Sequence, residues 1–432
     1  MKFHSIYISV GLFLFGTANA QDSLTVEQAI QRVLQSHPAI EQALANTRAA
    51  EARVQQTSSA RLPESDIEAS YTYLGPPIPF YFGVLGPFQF YPNNNYDAHV
   101  GAGYMLYDFG KTSATIDVAQ SHVQSAQNTG ELIKNGLGYQ TIRTFYTILF
   151  LQKSIHVADE QIETFDEHLS LTKKKVDVGT ATSFDVLTIE VRVASAQNRK
   201  VELENSLHRQ ESILRQLLGE KEGIPITLIG EITMIPVKLN ADSLVEQAFA
   251  KRLELKLDHN AQMTADLQYR VASRGNMPSI HISGEYGIKN GLYFPDLNII
   301  RGNWALSAQI RVPVFDGYRV DHIEQEAQAT IYAEQAHTQN TERQIRSDVE
   351  QTLADLQASA RKVEITKVQL QQAHEAVAIA RTRYETGSST NLDLLDAETA
   401  ESEAKLMNLE AVYRFVISKY ELSRAVGASF TN

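Results

Sequence analysis

The chain has 432 residues, of which 43% are hydrophobic and 21% charged, and its formal net charge is −12. An acidic chain without a basic patch argues against nucleic acid as a partner. The chain contains no cysteine. This excludes disulfides, thiolate metal sites, cysteine nucleophiles and a lipid-modified N-terminal cysteine.

The first 20 residues have the pattern of an export signal. Lys2 supplies the positive start, residues 6–15 are apolar, and Ala18-Asn19-Ala20 is a small-x-small cleavage site. This apolar run is too short to cross a hydrocarbon core about 30 Å thick as a helix. No later run approaches the roughly 18 apolar residues of a spanning helix. The sequence therefore predicts an exported protein, in which any membrane insertion uses strands.

The chain repeats itself at an offset of 208 residues. VDVGTATSFDVLTIE, at residues 176–190, recurs as YETGSSTNLDLLDAE, at residues 384–398. A repeat this long is a duplicated domain rather than a solenoid unit of about 20–50 residues. We predict a signal peptide at 1–20, a first repeat at 21–220, an equatorial connector at 221–241, a second repeat at 242–428 and a tail at 429–432.

Each repeat contains a heptad seam, in which the spacing alternates between three and four residues. The seams are Ile148, Leu151, Ile155, Ala158, Ile162, Phe165, Leu169, Thr172 and Val176, and then Leu356, Ser359, Val363, Thr366, Leu370, Ala373, Val377, Ala380 and Tyr384. Such a period makes helices supercoil around neighbouring helices. A helix from Thr112 to Val176 has a length on the order of 100 Å, which predicts a coiled-coil wall. Gly130, Gly136 and Gly138 predict a bend or break in its first part.

Four segments alternate apolar and polar residues, two in each repeat, near residues 67–73, 98–106, 280–288 and 304–314. Strands of about ten residues with one apolar and one polar face suit a transmembrane barrel with a polar lumen. A soluble sandwich shows the same alternation, but the export signal and the coiled coils favour the membrane. Aromatic residues near the strand ends predict an interfacial girdle: Tyr81, Phe82, Phe90, Tyr91, Tyr293 and Phe294.

Four strands cannot close a barrel. An open sheet edge in lipid would leave backbone N–H and C=O groups without partners. The chain must therefore pool strands with copies of itself. Three copies give twelve strands, which is within the usual range for outer-membrane barrels, although this argument permits two or four copies as well.

The repeated phrase predicts a helical hairpin turn. A glycine ends one helix in the left-handed conformation, a threonine caps the next, and an aspartate three residues later closes a capping box. These residues are Gly179, Thr182 and Asp185 in the first copy, and Gly387, Thr390 and Asp393 in the second.

Capping does not explain Asp396, whose counterpart is Thr188. Asp393 and Asp396 are three residues apart and can share one helix face. In a ring of three chains they would form two stacked rings of carboxylates. Such rings select cations, and mutual repulsion raises their pKa values.

Together these features resemble the TolC family of outer-membrane channel proteins, from about Leu24 to Gly427. The most specific segment is TNLDLLDA, at residues 390–397, after YETG at 384–387. The resemblance implies a mixed α and β fold: a homotrimer with a twelve-stranded barrel in outer-membrane lipid, continued by an α-helical tunnel across the periplasm. It also implies docking to an inner-membrane transporter through a periplasmic adaptor (membrane fusion) protein, for efflux or type I secretion.

The resemblance assigns roles to the hairpin residues. It implies a channel constriction at Asp393 and Asp396, and a gate latch that ties the inner hairpin shut at Asp185 and Tyr384. The family often has an arginine where this chain has Ser389, so a salt-bridge latch is not expected there. The residues that match the family's adaptor-contact tips are Gly179, Thr180, Ala181, Gly387, Ser388 and Ser389.

The sequence offers little for catalysis. Gly110-Lys111-Thr112-Ser113 has the end of a phosphate-binding loop, but Met105 stands where that pattern needs its first glycine. The histidines lack metal-ligand spacing, and no nucleophile or metal ligand accompanies the Asp393–Asp396 pair. We predict a passive channel with no enzymatic activity, cofactor or metal. The alternative is a periplasmic coiled-coil adaptor or structural protein without a membrane barrel.

Overall fold

A computed structural model describes residues 23–76, 80–81, 83, 87–88, 91–220, 227–233, 241–292 and 296–431. The predicted export signal lies outside the described residues. So do four of the predicted girdle residues, Phe82, Phe90, Tyr293 and Phe294, and most of the predicted connector.

The first repeat runs from paired helices through strands to two long helices. Its elements are β1 (Ser23–Leu24), α1 (Val26–Ser36), α2 (Pro38–Ser58), a 3-10 turn (Ser59–Arg61), β2 (Glu64–Tyr73), β3 (Phe80–Tyr81), β4 (Pro87–Phe88), β5 (Asn94–Tyr107), α3 (Lys111–Asp177) and α4 (Ser183–Leu218). β6 (Thr227–Leu228) follows and pairs in parallel with β1.

The second repeat has the same plan. Its elements are α5 (Ala241–Lys251), α6 (Leu253–Ala272), β7 (Ser279–Lys289), β8 (Arg301–Arg311), α7 (Arg319–Glu385) and α8 (Asn391–Ala425). Helices α3 and α7 each have 67 residues, and α4 and α8 have 36 and 35. The predicted duplication and mixed α and β fold are confirmed.

The chain forms two compact units, and each contains parts of both repeats. The helical unit comprises Met1–His37, Lys134–Ala241 and Val349–Asn432, and the sheet unit comprises Pro38–Ile133 and Asp242–Asp348.

The sheet unit contains one four-stranded antiparallel sheet in the order β2-β5-β7-β8. One row of paired residues crosses all four strands: Ile67, Val100, Tyr286 and Trp304. Their exposed fractions are 82%, 51%, 69% and 75%. A continuous exposed apolar row of this kind requires an apolar environment to cover it, and it is the pattern of a lipid-facing sheet.

The opposite face of the sheet is polar. His99 lies there, with its Nδ1 3.0 Å from Asp97 Oδ1 and its Nε2 3.9 Å from both Glu68 Oε2 and Glu285 Oε2. This distribution is opposite to that of a soluble sheet, whose exposed face is the polar one. It fits strands with lipid on one side and a wet lumen on the other.

The helical unit buries the predicted seams. In α3 the buried seam residues include Ile148, Phe165 and Thr172, and in α7 they include Val363 and Tyr384. The positions between them are mostly exposed along α7. The heptad prediction is therefore confirmed: these helices pack along narrow stripes, as coiled coils do.

Helix α3 is continuous from Lys111 to Asp177, so no break occurs at the glycines. The prediction of a break is wrong, and the alternative of a bend stays a prediction. One of the three glycines, Gly138, serves a tertiary contact. A Cβ there would lie 2.8 Å from the Cβ of Phe430, so glycine lets the C-terminal segment pack on α3. Among the described residues, no helix combines the length and the apolar character needed to cross a membrane.

Candidate functional site

Two matching turns end the long helices of the helical unit. Gly179 and Gly387 adopt φ angles of +76° and +77°, in the left-handed region that glycine enters without strain. Thr182 and Thr390 are the N-caps of α4 and α8, and each forms a capping box with the aspartate three residues later. The predicted hairpin turns and boxes are confirmed.

Asp393 is held firmly by the second turn. Its Oδ2 accepts hydrogen bonds from the Thr390 hydroxyl at 2.7 Å, the Thr390 N–H at 2.9 Å and the Ser389 hydroxyl at 2.9 Å. The Thr390 hydroxyl bond contributes most to lowering the pKa of Asp393 below its ordinary value, followed by the Thr390 N–H and Ser389. Within one chain, Asp393 is therefore a stable carboxylate at neutral pH. The increase in pKa expected from mutual repulsion concerns neighbouring copies and stays a prediction.

Asp396 takes no part in the cap. Its side chain is 62% exposed, and its Oδ1 lies 3.8 Å from Nη2 of Arg192 on α4. An exposed ion pair at this distance is weak, so Asp396 keeps a solvated negative charge beside a partly compensating cation. Comparing the two repeats of the sequence singled out Asp396, but it gave no indication of its partner Arg192.

Tyr384 is buried at the end of α7. Its hydroxyl lies 2.8 Å from the Thr172 hydroxyl on α3. The Lys175 ammonium lies 3.9 Å from the centre of the Tyr384 ring and donates to the Tyr384 carbonyl oxygen. Burial is the main cause that raises the pKa of Tyr384, and the charges of Asp185 and Glu398 add to it. Tyr384 therefore ties α7 to α3 as a neutral donor and acceptor.

The structure places the two predicted latch residues in separate hydrogen-bond groups. Asp185 Oδ2 accepts from the Thr182 N–H at 2.9 Å and the Thr182 hydroxyl at 2.8 Å, whereas the partner of Tyr384 is Thr172. Asp185 acts on Tyr384 through its charge. Within one chain, the Tyr384–Thr172 bond is one of the contacts that join the end of α7 to α3, together with Lys175–Tyr384 O and Arg381–Glu167.

A buried ionisable pair lies beside Tyr384. His168 Nδ1 on α3 is 2.9 Å from Glu398 Oε2 on α8, and both side chains are 0% exposed. The His168 ring also packs edge-on against the Tyr384 ring, with centroids 5.1 Å apart. His168 Nε2 and Glu398 Oε1 have no hydrogen-bond partner among the described residues. The sequence analysis missed this pair. The signal that could have found it is the position of Glu398, which follows the core residue Leu395 by three residues and so falls on the same buried helix face.

The predicted tip residues lie at the two turns, and most are open to solvent. Gly179, Thr180, Gly387 and Ser388 are exposed, and Ala181 and Ser389 are half-buried. Their backbone is fixed by the preceding helices: the Thr180 N–H donates to Lys175 O, and the Ser388 N–H to Arg383 O, both at 2.8 Å. The tips are thus ordered small-residue turns that another helical hairpin can approach closely.

The family model described as outer membrane efflux protein matches residues 29–220 and 244–428, which is most of the chain. The chain belongs to the outer membrane efflux protein family. It is 22% identical to the outer membrane protein TolC of Escherichia coli (strain K12), over 97% of this chain and 85% of TolC.

Solved structures share the fold. CusC gives a TM-score of 0.80 with 16% identity, covering 98% of this chain and 96% of CusC. VceC of Vibrio cholerae gives 0.78 with 19% identity, covering 94% of this chain and 96% of VceC. This outer membrane efflux protein therefore shares the fold of CusC and VceC.

Family membership decides between the two functions that the sequence left open. This efflux protein is a non-enzymatic channel of the outer membrane with a periplasmic tunnel, of the kind used in efflux and type I secretion. The predicted TolC-family resemblance is confirmed, and the alternative of an adaptor without a barrel is set aside. The roles of individual hairpin residues stay predictions.

The buried pair yields a stability prediction. Glu398→Ala leaves the His168 ring buried without its partner. Removing one member of a buried pair lowers the free energy of unfolding by about 3–5 kcal/mol. Glu190 is the repeat counterpart of Glu398, but its side chain is 45% exposed and lies 3.2 Å from Lys173. Glu190→Ala is therefore expected to cost about 0–1 kcal/mol. Denaturant unfolding of the detergent-purified variants measures both, and equal losses would contradict the inference.

Proposed function

We propose that three copies of this chain form one passive exit duct through the outer membrane. The observation that carries the proposal is the open sheet. Among the described residues, β2 and β8 are the outer strands of the four-stranded sheet, and the sheet's exposed face carries the apolar row Ile67, Val100, Tyr286 and Trp304. In lipid these two edges need partners. Pairing β2 of one copy with β8 of the next satisfies every edge in a closed ring.

In this proposal the duct has no energy source of its own. The energy comes from an inner-membrane transporter that the duct reaches through a periplasmic adaptor, and the cargo is either small molecules or secreted protein. Family membership supports this arrangement, since the family is one of efflux proteins. The chain's part is to provide a wall, a constriction and a docking surface.

The first test concerns the duct itself. The native mass of the detergent-purified particle is expected to equal three chains, and the particle is expected to give stable single-channel currents in planar lipid bilayers. A two-chain or four-chain mass would contradict the number three alone. A monomer that washes from membranes in plain buffer would contradict the duct.

We assign the constriction to Asp393 and Asp396. Threefold repetition places two levels of carboxylates at the hairpin tips of the ring, and such rings favour cations. The two levels of carboxylates differ in how firmly each side chain is held. Asp393 is held by three hydrogen bonds, whereas Asp396 is solvated and has only Arg192 at 3.8 Å. Asp396 is therefore the level that responds to ions in the pore.

Opposite effects are expected from the two members of the Asp396–Arg192 pair. Asp396→Ala removes a ring of charge, so it should raise or reshape single-channel conductance and weaken block by multivalent cations. Arg192→Ala removes the compensating cation, so it should strengthen that block. Both effects should shrink at high salt because exposed charges are screened. Bilayer recordings at two salt concentrations measure them. Unchanged block in both variants would remove Asp396 from the constriction.

We assign the gate latch to Tyr384, with Asp185 acting through its charge. The duct opens when partners pull the end of α7 away from α3, which breaks the buried Tyr384–Thr172 hydrogen bond of 2.8 Å. Because this bond joins two neighbouring helices near the turns, its loss lowers the cost of opening without disturbing the rest of the seam.

Loss of either hydroxyl of the latch should favour the open state by about 1 kcal/mol per chain, the net worth of such a bond. Tyr384→Phe and Thr172→Val are both expected to increase the time spent open in bilayers and the uptake of bulky antibiotics by cells. Tyr413→Phe is the matched control, since it removes a similar bond of 2.9 Å to Thr147 far from the turns. A control variant that opens as readily as the other two would rule out a local latch.

The adaptor contact is assigned to the exposed turns at Gly179, Thr180 and Ala181 and at Gly387, Ser388 and Ser389. A photo-crosslinking residue at Thr180 or Ser388 should attach to a periplasmic adaptor in intact cells. The same residue at the exposed Ser195, in the body of α4, should not. Failure of both tip positions to crosslink would argue against this contact.

A further inference from the structure

A large cavity lies in the sheet unit, where the strands give way to the long helices. Its volume is about 750 Å³, and its walls come from the start of β7, the end of β8 and the first residues of α3 and α7. This volume is within the range of about 300–1,000 Å³ that is usual for small-molecule sites. The channel function described above does not use it.

The cavity is cationic although the chain has a net charge of −12. Four basic side chains line it: Lys111, Arg274, Arg311 and Arg319. Lys111 and Arg319 occupy matching positions in the two repeats, at the starts of α3 and α7. Each repeat therefore delivers a cation to the same cavity. Clustered cations repel one another, so this arrangement favours an anion.

The two acids in the wall, Asp108 and Asp316, offset only half of the charge of these four cations. Asp108 Oδ2 accepts from the Thr112 N–H at 2.7 Å, and its Oδ1 accepts from the Gly110 N–H at 3.1 Å. Asp316 accepts from the N–H groups of Arg319 and Val320 at 3.2 and 3.0 Å. Both carboxylates are thus engaged in starting α3 and α7.

The basic side chains keep most of their donors for a ligand. Arg274 uses one, from Nη1 to Gly110 O at 2.9 Å, and Arg319 Nη2 lies 3.8 Å from Asp316 Oδ2. Lys111 and Arg311 are both exposed, and among the described residues neither the Lys111 ammonium nor the Arg311 guanidinium has a hydrogen-bond or ion-pair partner. A guanidinium offers five donors in a planar fork, which suits two oxygens of one phosphate, and an ammonium adds a point charge.

We propose that this cavity binds a phosphate group. Met105, Met277 and Phe315 also line it, so it can accept apolar atoms attached to the phosphate. Free inorganic phosphate and the headgroup of an anionic phospholipid share this chemistry, and the experiment separates them.

Binding is measured on the full-length, detergent-purified protein at constant ionic strength. Pyrophosphate is titrated in a calorimeter, with sodium chloride as the reference. The double variant Lys111→Gln/Arg311→Gln should raise the Kd at least tenfold. Lys174→Gln/Arg199→Gln is the matched control, since it also removes one lysine and one arginine, both on exposed helix surfaces, and it should leave the Kd unchanged. If the double variant fails to fold, Arg311→Lys is measured in its place. It keeps the positive charge and should retain most of the binding.

The lipid source is tested on the same proteins in phosphatidylcholine nanodiscs with or without phosphatidylglycerol. Native mass spectrometry should find phosphatidylglycerol retained by the unmodified protein and lost from the double variant if the headgroup is the ligand. Pyrophosphate binding without lipid retention would assign the site to a soluble phosphate compound rather than to a lipid headgroup. The proposal is overturned if neither ligand binds, or if the control variant loses as much binding as the double variant. Neither readout depends on conductance, so failure here leaves the duct itself untouched.

Discussion

The four-stranded sheet has two outer strands, and the protein's proposed assembly follows from the need to pair them. In water, the backbone groups of β2 and β8 would be solvated at little cost. The exposed apolar row from Ile67 to Trp304 favours lipid instead, where an unpaired N–H or C=O costs several kcal/mol. Completing these two edges with identical chains fixes a rotational symmetry. That symmetry then applies to every other part of the chain, including the hairpin turns and their carboxylates.

The helical unit depends on a second constraint, which is that its seams are not purely apolar. Thr172, His168 and Glu398 are buried, as are the apolar residues Phe165 of α3, Ile189 of α4 and Leu395 of α8. A sliding of α8 or α7 along α3 by one helical turn would separate Glu398 from His168 and Tyr384 from Thr172. Buried polar groups without partners are costly, so these pairs oppose alternative registers that leucine-like contacts would tolerate. Polar residues on a seam reduce stability relative to apolar ones but specify one alignment.

The two hairpins are alike in their turns and differ in the residues of α4 and α8 that follow those turns. The capping boxes of Thr182 and Thr390 match in nearly every bond. In contrast, Glu398 is buried against His168, while its counterpart Glu190 is exposed beside Lys173. Asp396 likewise replaces Thr188, whose hydroxyl bonds only to its own helix. The two turns are thus equivalent, but of the two copies the second alone carries the buried pair and the extra carboxylate.

The sequence predicted those features that are local or periodic. The boxes at Thr182 and Thr390 involve residues three apart, and the seams and strand faces follow from a regular period, so both can be read directly along the chain. The His168–Glu398 and Asp396–Arg192 pairs join residues about 200 or more positions apart, and no local pattern marks such partners. The basic cavity was missed for the same reason, since Lys111, Arg274 and Arg311 come together only through the sheet. At Gly138 a local rule failed because the contact with Phe430 outweighs helix propensity.

The pairing of β5 with β7 has a consequence for biosynthesis. Val100 faces Tyr286 in the middle of the sheet, so the central hydrogen bonds wait until the second repeat has been delivered to its compartment as far as β7. Loop closure over such a separation is slow, and until then β2 and β5 form an isolated apolar ribbon that is prone to aggregate. The interval between export and insertion is therefore the stage at which this chain is most exposed to aggregation.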